Sequence, residues 1–348
     1  MSHLNRLRYE IWTAPVPIEN YKPDFTPRSE LGICGFWPCQ ALVGESGNRY
    51  WFMLTIGSGG KPTISISDAS VIREPGLTSR SSPLLIDGSD LRSWHPYEYE
   101  DAGDRLEFRF PSGGHLIMDP QQYHWVDFDG RIDLTVTHHG EGVFFRIPVQ
   151  DRIDCPIYHQ SQTGLVEGHV DGDPVFGLSL LDYVWAKPGT PWVLTEAFLE
   201  VEKHWTMWLV EYEDGTFDGG YAWSAKPPYI FDCGHLIQDE VSSGCQSAVT
   251  TPTFGEAGLP ERLHIDYGGQ YEVELAFTHL ADFPLHPIGH VVSTSNPKPV
   301  KRTIAVTEWV PDNIADLIHG RVPGCTSHDD MNTFDAKIEN HCVVSANS

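Results

Sequence analysis

Asp182 sits in a run that is otherwise apolar, with Leu180 and Leu181 before it and Tyr183, Val184 and Trp185 after it. A carboxylic acid held among such side chains resists ionisation, because burial disfavours the charged form, and it can then donate a proton. An aromatic face stabilises a neighbouring cation, which makes Trp185 the expected cation-facing ring. Tyr158 and His159 open the same stretch, and side chains of these types hold a water or the polar end of a substrate. The competing reading of Asp182 is structural: it caps a turn or pairs with a backbone amide. Further acidic candidates are Glu30, Asp127, Asp133, Glu167 and Glu308. Asp133 alternates with Ile132 and Leu134 and reads as a solvated residue. Trp37, Trp51 and Trp223 are the other expected substrate-binding aromatics. They fall on strand-like segments, as do Trp125, Trp205, Trp208 and Trp309, where core packing is the default and two or three rings line a pocket.

Several function classes are excluded or disfavoured. The chain has 48 acidic and 23 basic residues, a net charge of −25, so neither nucleic acid nor an anionic membrane surface is expected as a partner. GxGxxG before a helix, GxxxxGK[ST], HExxH and GxSxG are all missing, which leaves dinucleotide, P-loop, zincin and serine-hydrolase chemistries without support. His138 and His139 suggest a metal, but adjacent residues on a strand point to opposite faces and cannot easily share one ion. No metal and no cofactor are expected. The seven cysteines form no pair of CxxC motifs; Cys34 and Cys39 are close enough along one strand to approach each other, though free thiols in a reducing compartment are the better reading. The opening MSHLNRLRYE has no signal character, no apolar stretch is long enough for a bilayer, and no Asn-x-Ser/Thr sequon occurs. The expected location is the cytoplasm. The expected partner is a hydrophobic small molecule, with a homodimer left open.

The elements that must position these residues are strands. GFWPCQALVG (35–44) and NRYWFMLTIG (48–57) flank the turn ESGN and read as a hairpin. RLEFRF (105–110), RIDLTVTHH (131–139) and GVFFRIPV (142–149) continue the series. HWTMWLVEYEDGTFDGGYAW (204–223) turns at Asp214-Gly215, and Gly268-Gly269 separates RLHIDY from YEVELAFTHL. Only two segments suggest helix: 194–204, which is ambiguous, and 312–320, with Asp312 as N-cap and Gly320 as stop. The reading is all-β, two antiparallel barrel or sandwich domains of calycin or lipocalin type. Residues 1–30 form an irregular lead-in, 31–187 the first domain, 188–320 the second and 321–348 a tail.

The span YHQSQTGLVEGHVDGDPVFGLSLLDYVW (158–185) resembles the AttH-like and carotenoid 1,2-hydratase lipocalin superfamily, in which a tyrosine-tyrosine-serine segment leads to a strand ending in Asp-x-x-Trp. GFWPCQALVGESGNRYWFML (35–54), RIDLTV (131–136) and MWLVEYEDGTFDGGYAW (207–223) match more loosely, so the likeness spans roughly residues 30–310 in order. Here the tandem tyrosine is Tyr158-His159, and Tyr183-Val184 replaces the family's charged pair. The resemblance implies paired β domains and an apolar pocket within or between them. It also implies a cofactor-free enzyme, since the superfamily includes carotenoid and kievitone hydratases and fungal decalin-forming Diels–Alderases. Acid-catalysed hydration of a carbon–carbon double bond is the first expectation, with Asp182 as acid. A cyclase or isomerase that folds a polyene and polarises a carbonyl is the second. Non-catalytic carriage of an apolar ligand is the third.

Overall fold

The structure is a computed structural model that describes residues 5–23, 31–56, 63–77, 95–110, 113–188, 190, 192–256, 258–281 and 285–312. Glu30, the 313–320 part of the expected second helix, and the tail lie outside these residues, as does the Cys34 side chain.

Two large antiparallel sheets make up the molecule. The first has 13 strands and the second has 9. At the centre of the first lie β1 (Gly32–Gly44), β2 (Arg49–Ile56), β3 (Gly142–Ile147), β4 (Ile157–Val170) and β5 (Asp173–Ala186). Their order is β2-β1-β5-β4, with β3 also paired to β4. The second sheet is centred on β6 (Glu202–Tyr212), β7 (Phe217–Ala225), β8 (Asp232–Gln238) and β9 (Val300–Trp309), in the order β8-β7-β6-β9. The all-β reading and its hairpins hold: β1 pairs with β2, β6 with β7, and 260–266 with 272–280 across the Gly-Gly turn.

Two local expectations change. The lead-in contains a strand, Glu10–Ala14, that pairs with β3, and a 3-10 turn at Ile18–Tyr21. The ambiguous segment 194–204 is a 3-10 turn (Trp192–Leu194), then a single π-helical turn (Ala197–Val201), then the start of β6. A run of apolar residues too short for a stable helix takes whichever form lets its side chains pack.

Three apolar clusters follow from this layout. One fills the concave interior of the first sheet, around Phe52, Trp125, Leu134 and Leu181. Another fills the second sheet, around Trp208, Tyr267 and Leu275. The third lies between the sheets and draws Trp51, Phe145, Leu180 and Val184 from the first, with Met207, Tyr221, Trp223 and Val306 from the second. The strands between two clusters are buried on both faces, and for that reason they read as continuous apolar runs, as in doubly covered sheets. Asp182 lies in such a strand. Its apolar neighbours in sequence are split between two different cores.

Ion pairs tie the halves together at the rim. Arg302 on β9 bonds Glu167 on β4 at 2.8 Å, also bonds Glu211, and lies over the Phe176 ring at 3.7 Å. His139 Nδ1 lies 2.8 Å from Glu240. Such exposed pairs contribute little each, so the aromatic layer supplies most of the adhesion. Close backbone packing within the first sheet makes one glycine obligatory. A Cβ on Gly177 would stand 2.1 Å from the Ala41 carbonyl oxygen. Gly177→Ala is expected to destabilise the chain by about 1–3 kcal/mol, read as a lower denaturation midpoint at unchanged m-value.

Candidate active site between the sheets

The two-residue period of a strand decides which of the candidates meet. On β5, Leu180, Asp182 and Val184 face the layer between the sheets, whereas Leu181, Tyr183 and Trp185 face the interior of the first half. Asp182 pairs across the ladder with Ser161 of β4, and His159 lies two residues further along. All three are buried. Ser161 Oγ donates to Asp182 Oδ1. His159 Nε2 lies 3.3 Å from Asp182 Oδ1 and 3.2 Å from Ser161 Oγ.

These contacts fix the histidine's tautomer. The Ser161 hydrogen is committed to Asp182, so both oxygens present lone pairs to Nε2, and Nε2 must carry a hydrogen. Nδ1 is then a bare acceptor, and it is buried without a partner. Asp182 and Ser161 contact the same ring nitrogen. A hydrolytic Ser-His-Asp triad needs the carboxylate and the serine on opposite nitrogens, so this arrangement is not one.

Aromatic rings surround His159. Trp223 stands edge-on at 5.4 Å, Phe145 lies at 5.6 Å and Tyr221 at 6.3 Å. Trp192, from the 3-10 turn, packs 6.3 Å from Trp223 and its indole donates to Glu202. Glu202 stands at the first residue of β6, where a bulge between Glu202 and His204 turns it toward the layer. Its carboxyl is pushed well above the ordinary glutamate range, first by burial, then by the charges of Glu308 and Asp182, with Lys226 opposing. Burial and the neighbouring carboxylates therefore favour the neutral, proton-bearing form of Glu202. Glu308 accepts from the Trp205 indole at 2.7 Å and lies 3.6 Å from His286 Nε2. Tyr221 is pushed up by burial and by Asp182, Glu202 and Glu308, which places its ring among the three carboxylates.

The structure thus brings Asp182, His159 and Trp223 together. Trp51 belongs to the same layer, 4.7 Å from His286 and 6.5 Å from Trp205, and Trp37, opposite Asp182 in the β1–β5 ladder, packs at its edge. Tyr158 and Trp185 do not join them. They lie on the other face of the sheet, 5.6 Å from each other and next to Trp12, Phe144 and Tyr183. Trp185 lies three positions after Asp182, and an odd spacing on a strand puts them on opposite faces. Among the other acidic candidates, Glu308 enters the layer. Asp127 caps its own turn through the Phe128 amide, Asp133 pairs with His124 at 2.7 Å, and Glu167 holds Arg302. Glu202 and Ser161 carried no signal of their own: Glu202 lay in the ambiguous segment and Ser161 in a polar cluster. His138 and His139 diverge, the first toward Tyr21 and Tyr123, the second toward Phe217. Among the described residues, no group of three or more His, Cys, Asp and Glu is disposed to hold a metal ion, and no helix is long and apolar enough to cross a membrane.

A cavity of about 230 Å³ opens at the edge of the layer, lined by Ile157, Ala186, Thr190, Leu194, Thr195 and Ala197 among others. Ile157 and Ala186 lie one residue beyond the Tyr158–Trp185 pair of the ladder. The Trp192–Val201 turns line this cavity at Leu194, Thr195 and Ala197 and reach Glu202 through the Trp192 indole. A larger groove, about 660 Å³, lies away from the site along Leu77, Leu259 and Phe277.

No family model and no curated protein matches the chain. Among solved structures, it is similar to a protein from Nitrosomonas europaea assigned provisionally as AttH, at 12% identity and a TM-score of 0.41, over 84% of this chain and 97% of that one. It is also similar to kievitone hydratase from Nectria haematococca, at 10% identity and a TM-score of 0.39, over 86% of this chain and 94% of that one.

Proposed function

We propose that the chain is an enzyme that adds water to a carbon–carbon double bond of an apolar, unsaturated small molecule bound between the two sheets. One observation carries this reading: a buried carboxyl whose surroundings favour its neutral form and a histidine with one nitrogen held by a carboxylate and the other bare share one aromatic layer. Addition of water needs a proton for one carbon and a base for the water that attacks the other. Glu202 supplies the proton. The faces of Trp223, Tyr221 and Trp205 stabilise the carbocation. His159 Nδ1 takes a proton from the attacking water as its oxygen bonds to the cation, and Asp182 stabilises the imidazolium that results. The alkene becomes an alcohol with no change in oxidation state beyond the elements of water. Asp182 thus acts through His159, and Glu202 takes the acid role first expected of Asp182. Substrate enters from the side of the 230 Å³ cavity, past the Trp192–Val201 turns.

The test is solvent labelling. Incubation with a panel of prenyl- and terpenyl-bearing alkenes in heavy-oxygen water and in deuterium oxide is expected to give an alcohol carrying the heavy oxygen, with deuterium on the adjacent carbon. An isomeric ring product with no solvent atoms would establish the cyclase reading instead. Recovery of every alkene unchanged, with binding, would leave carriage alone.

A further inference from the structure

Two buried histidines of the second half invite comparison. His204 and His235 are each almost wholly buried, and burial lowers each to about 3, so both are neutral. His204 is fully partnered. Its Nδ1 lies 3.0 Å from Thr206 Oγ1 and its Nε2 lies 2.9 Å from Thr250 Oγ1, and the ring stacks on Trp309. His235 is the opposite case: neither of its ring nitrogens has a partner. A buried donor or acceptor left unpaired costs about 1–3 kcal/mol. A structural role accounts for His204 and leaves His235 unexplained.

The strand period shows where His235 points. On β8, Leu236 belongs to the core of the second half, whereas Cys233 belongs to the layer between the sheets. His235 shares the Cys233 face and stands directly across the ladder from Tyr221, which belongs to that same layer. Along β7 the same-face positions Ala225, Trp223 and Tyr221 pair in turn with Glu202, Cys233 and His235. The rows span four residues, about 14 Å at the rise of an antiparallel strand. Glu202 Oε2, Trp223 Nε1 and His159 Nδ1 are also buried without partners in this layer. A track of unpaired polar atoms therefore runs from Glu202, past Trp223 and His159, to His235.

We propose that His235 is the specificity-determining residue at the far end of the binding site, about 14 Å from Glu202, and that it receives a ligand group able both to donate and to accept a hydrogen bond. A neutral imidazole offers one donor and one acceptor, so an alcohol, a phenol or an acid satisfies it and a hydrocarbon does not. The ligand is then an apolar chain or ring system with its double bond near Glu202 and a hydroxyl-bearing end at His235. This deepens the proposed function, resting on its placement of the ligand between the sheets, but it does not depend on the chemistry being hydration.

The probes are farnesol and the hydrocarbon in which its hydroxyl is replaced by hydrogen, a pair matched in shape and unsaturation. Calorimetric titration of the full chain is expected to show farnesol binding at least about 10-fold more tightly, with that preference lost in His235→Phe and His235→Leu. Both variants should keep or raise the melting temperature, because an apolar group replaces an unpaired polar one. His204→Phe, which strands two threonine hydroxyls, should lower it. Equal affinities in the native chain, a preference that survives in the His235 variants, or binding of neither probe overturns the assignment. So does loss of fold in the His235 variants on the scale of His204→Phe, which would mean a structural histidine. Failure of solvent labelling with the preference intact would remove the hydration reading and leave this one standing.

Discussion

Glu202→Gln is expected to cut turnover by about 100- to 10,000-fold, the range supplied by a positioned acid, while making the protein more stable at neutral pH. The substitution preserves the shape of the side chain and removes the transferable proton. Its stability effect follows from linkage. The Glu202 carboxyl is raised in the folded state above the 4.5 of an ordinary glutamate, so folding takes up a proton wherever the unfolded chain is ionised. The stabilisation is complete below that ordinary value and is lost as pH rises toward the folded-state value. Glutamine at the same place has no such dependence. The melting temperature of the variant should therefore exceed that of the native chain by a margin that grows as pH is raised above 4.5 and shrinks to nothing below it. Parallel melts across pH, with turnover at one pH, check both halves. An active variant would remove Glu202 from the chemistry. A margin that does not vary with pH would mean that the carboxyl is ionised in the fold.

Asp182→Asn is expected to lower turnover on the order of 1,000-fold, by a different route. Both contacts are made by Oδ1 alone, so an amide oxygen in its place still accepts from Ser161 Oγ and faces His159 Nε2, but the negative charge beside the ring is gone. The imidazole keeps its hydrogen on Nε2 and its bare Nδ1, and what is lost is the carboxylate that stabilises the imidazolium formed when Nδ1 takes a proton. The effect should fall on kcat with KM nearly unchanged, because neither Asp182 nor Nε2 touches the substrate. Nitrogen NMR separates this from a disrupted site: the His159 ring should keep its hydrogen on Nε2 while turnover falls. Retention of the native tautomer together with full turnover would show that Asp182 serves only to hold the strand. Tyr158→Phe and Trp185→Phe, on the other face of the sheet, should alter stability without this fall in turnover.

Much of the architecture was legible from local pattern. Asp214-Gly215 and Gly268-Gly269 marked hairpins because positive φ at the glycines suits tight turns, and both hairpins are present. Asp182 and His159 were also legible as candidates, since an acid in an apolar run and a histidine at the start of the partner strand are visible in one dimension. The company they keep was harder to see. The chain Asp182, Tyr183, Val184, Trp185 looks like one apolar environment around an acid. It is two environments, separated by the thickness of the sheet. The odd spacing of Asp182 and Trp185 held that information, but only once the segment was known to be a strand covered on both faces.

Glu202 shows the other limit. Its segment reads equally as helix or strand, and its role depends on a bulge at the start of β6, on Glu308 brought in from β9 and on Trp192 folded over it. None of these lies within a local window of the sequence. By itself the amino-acid sequence determined the strands, their turns, the acidic surface and the presence of an acid and a histidine on paired strands, because strand periodicity and turn chemistry act over a few residues. The tertiary structure decided which face each side chain serves and which carboxyl is pushed toward its neutral form. Those depend on the packing of one sheet against the other, where residues far apart in the chain lend each other burial and charge.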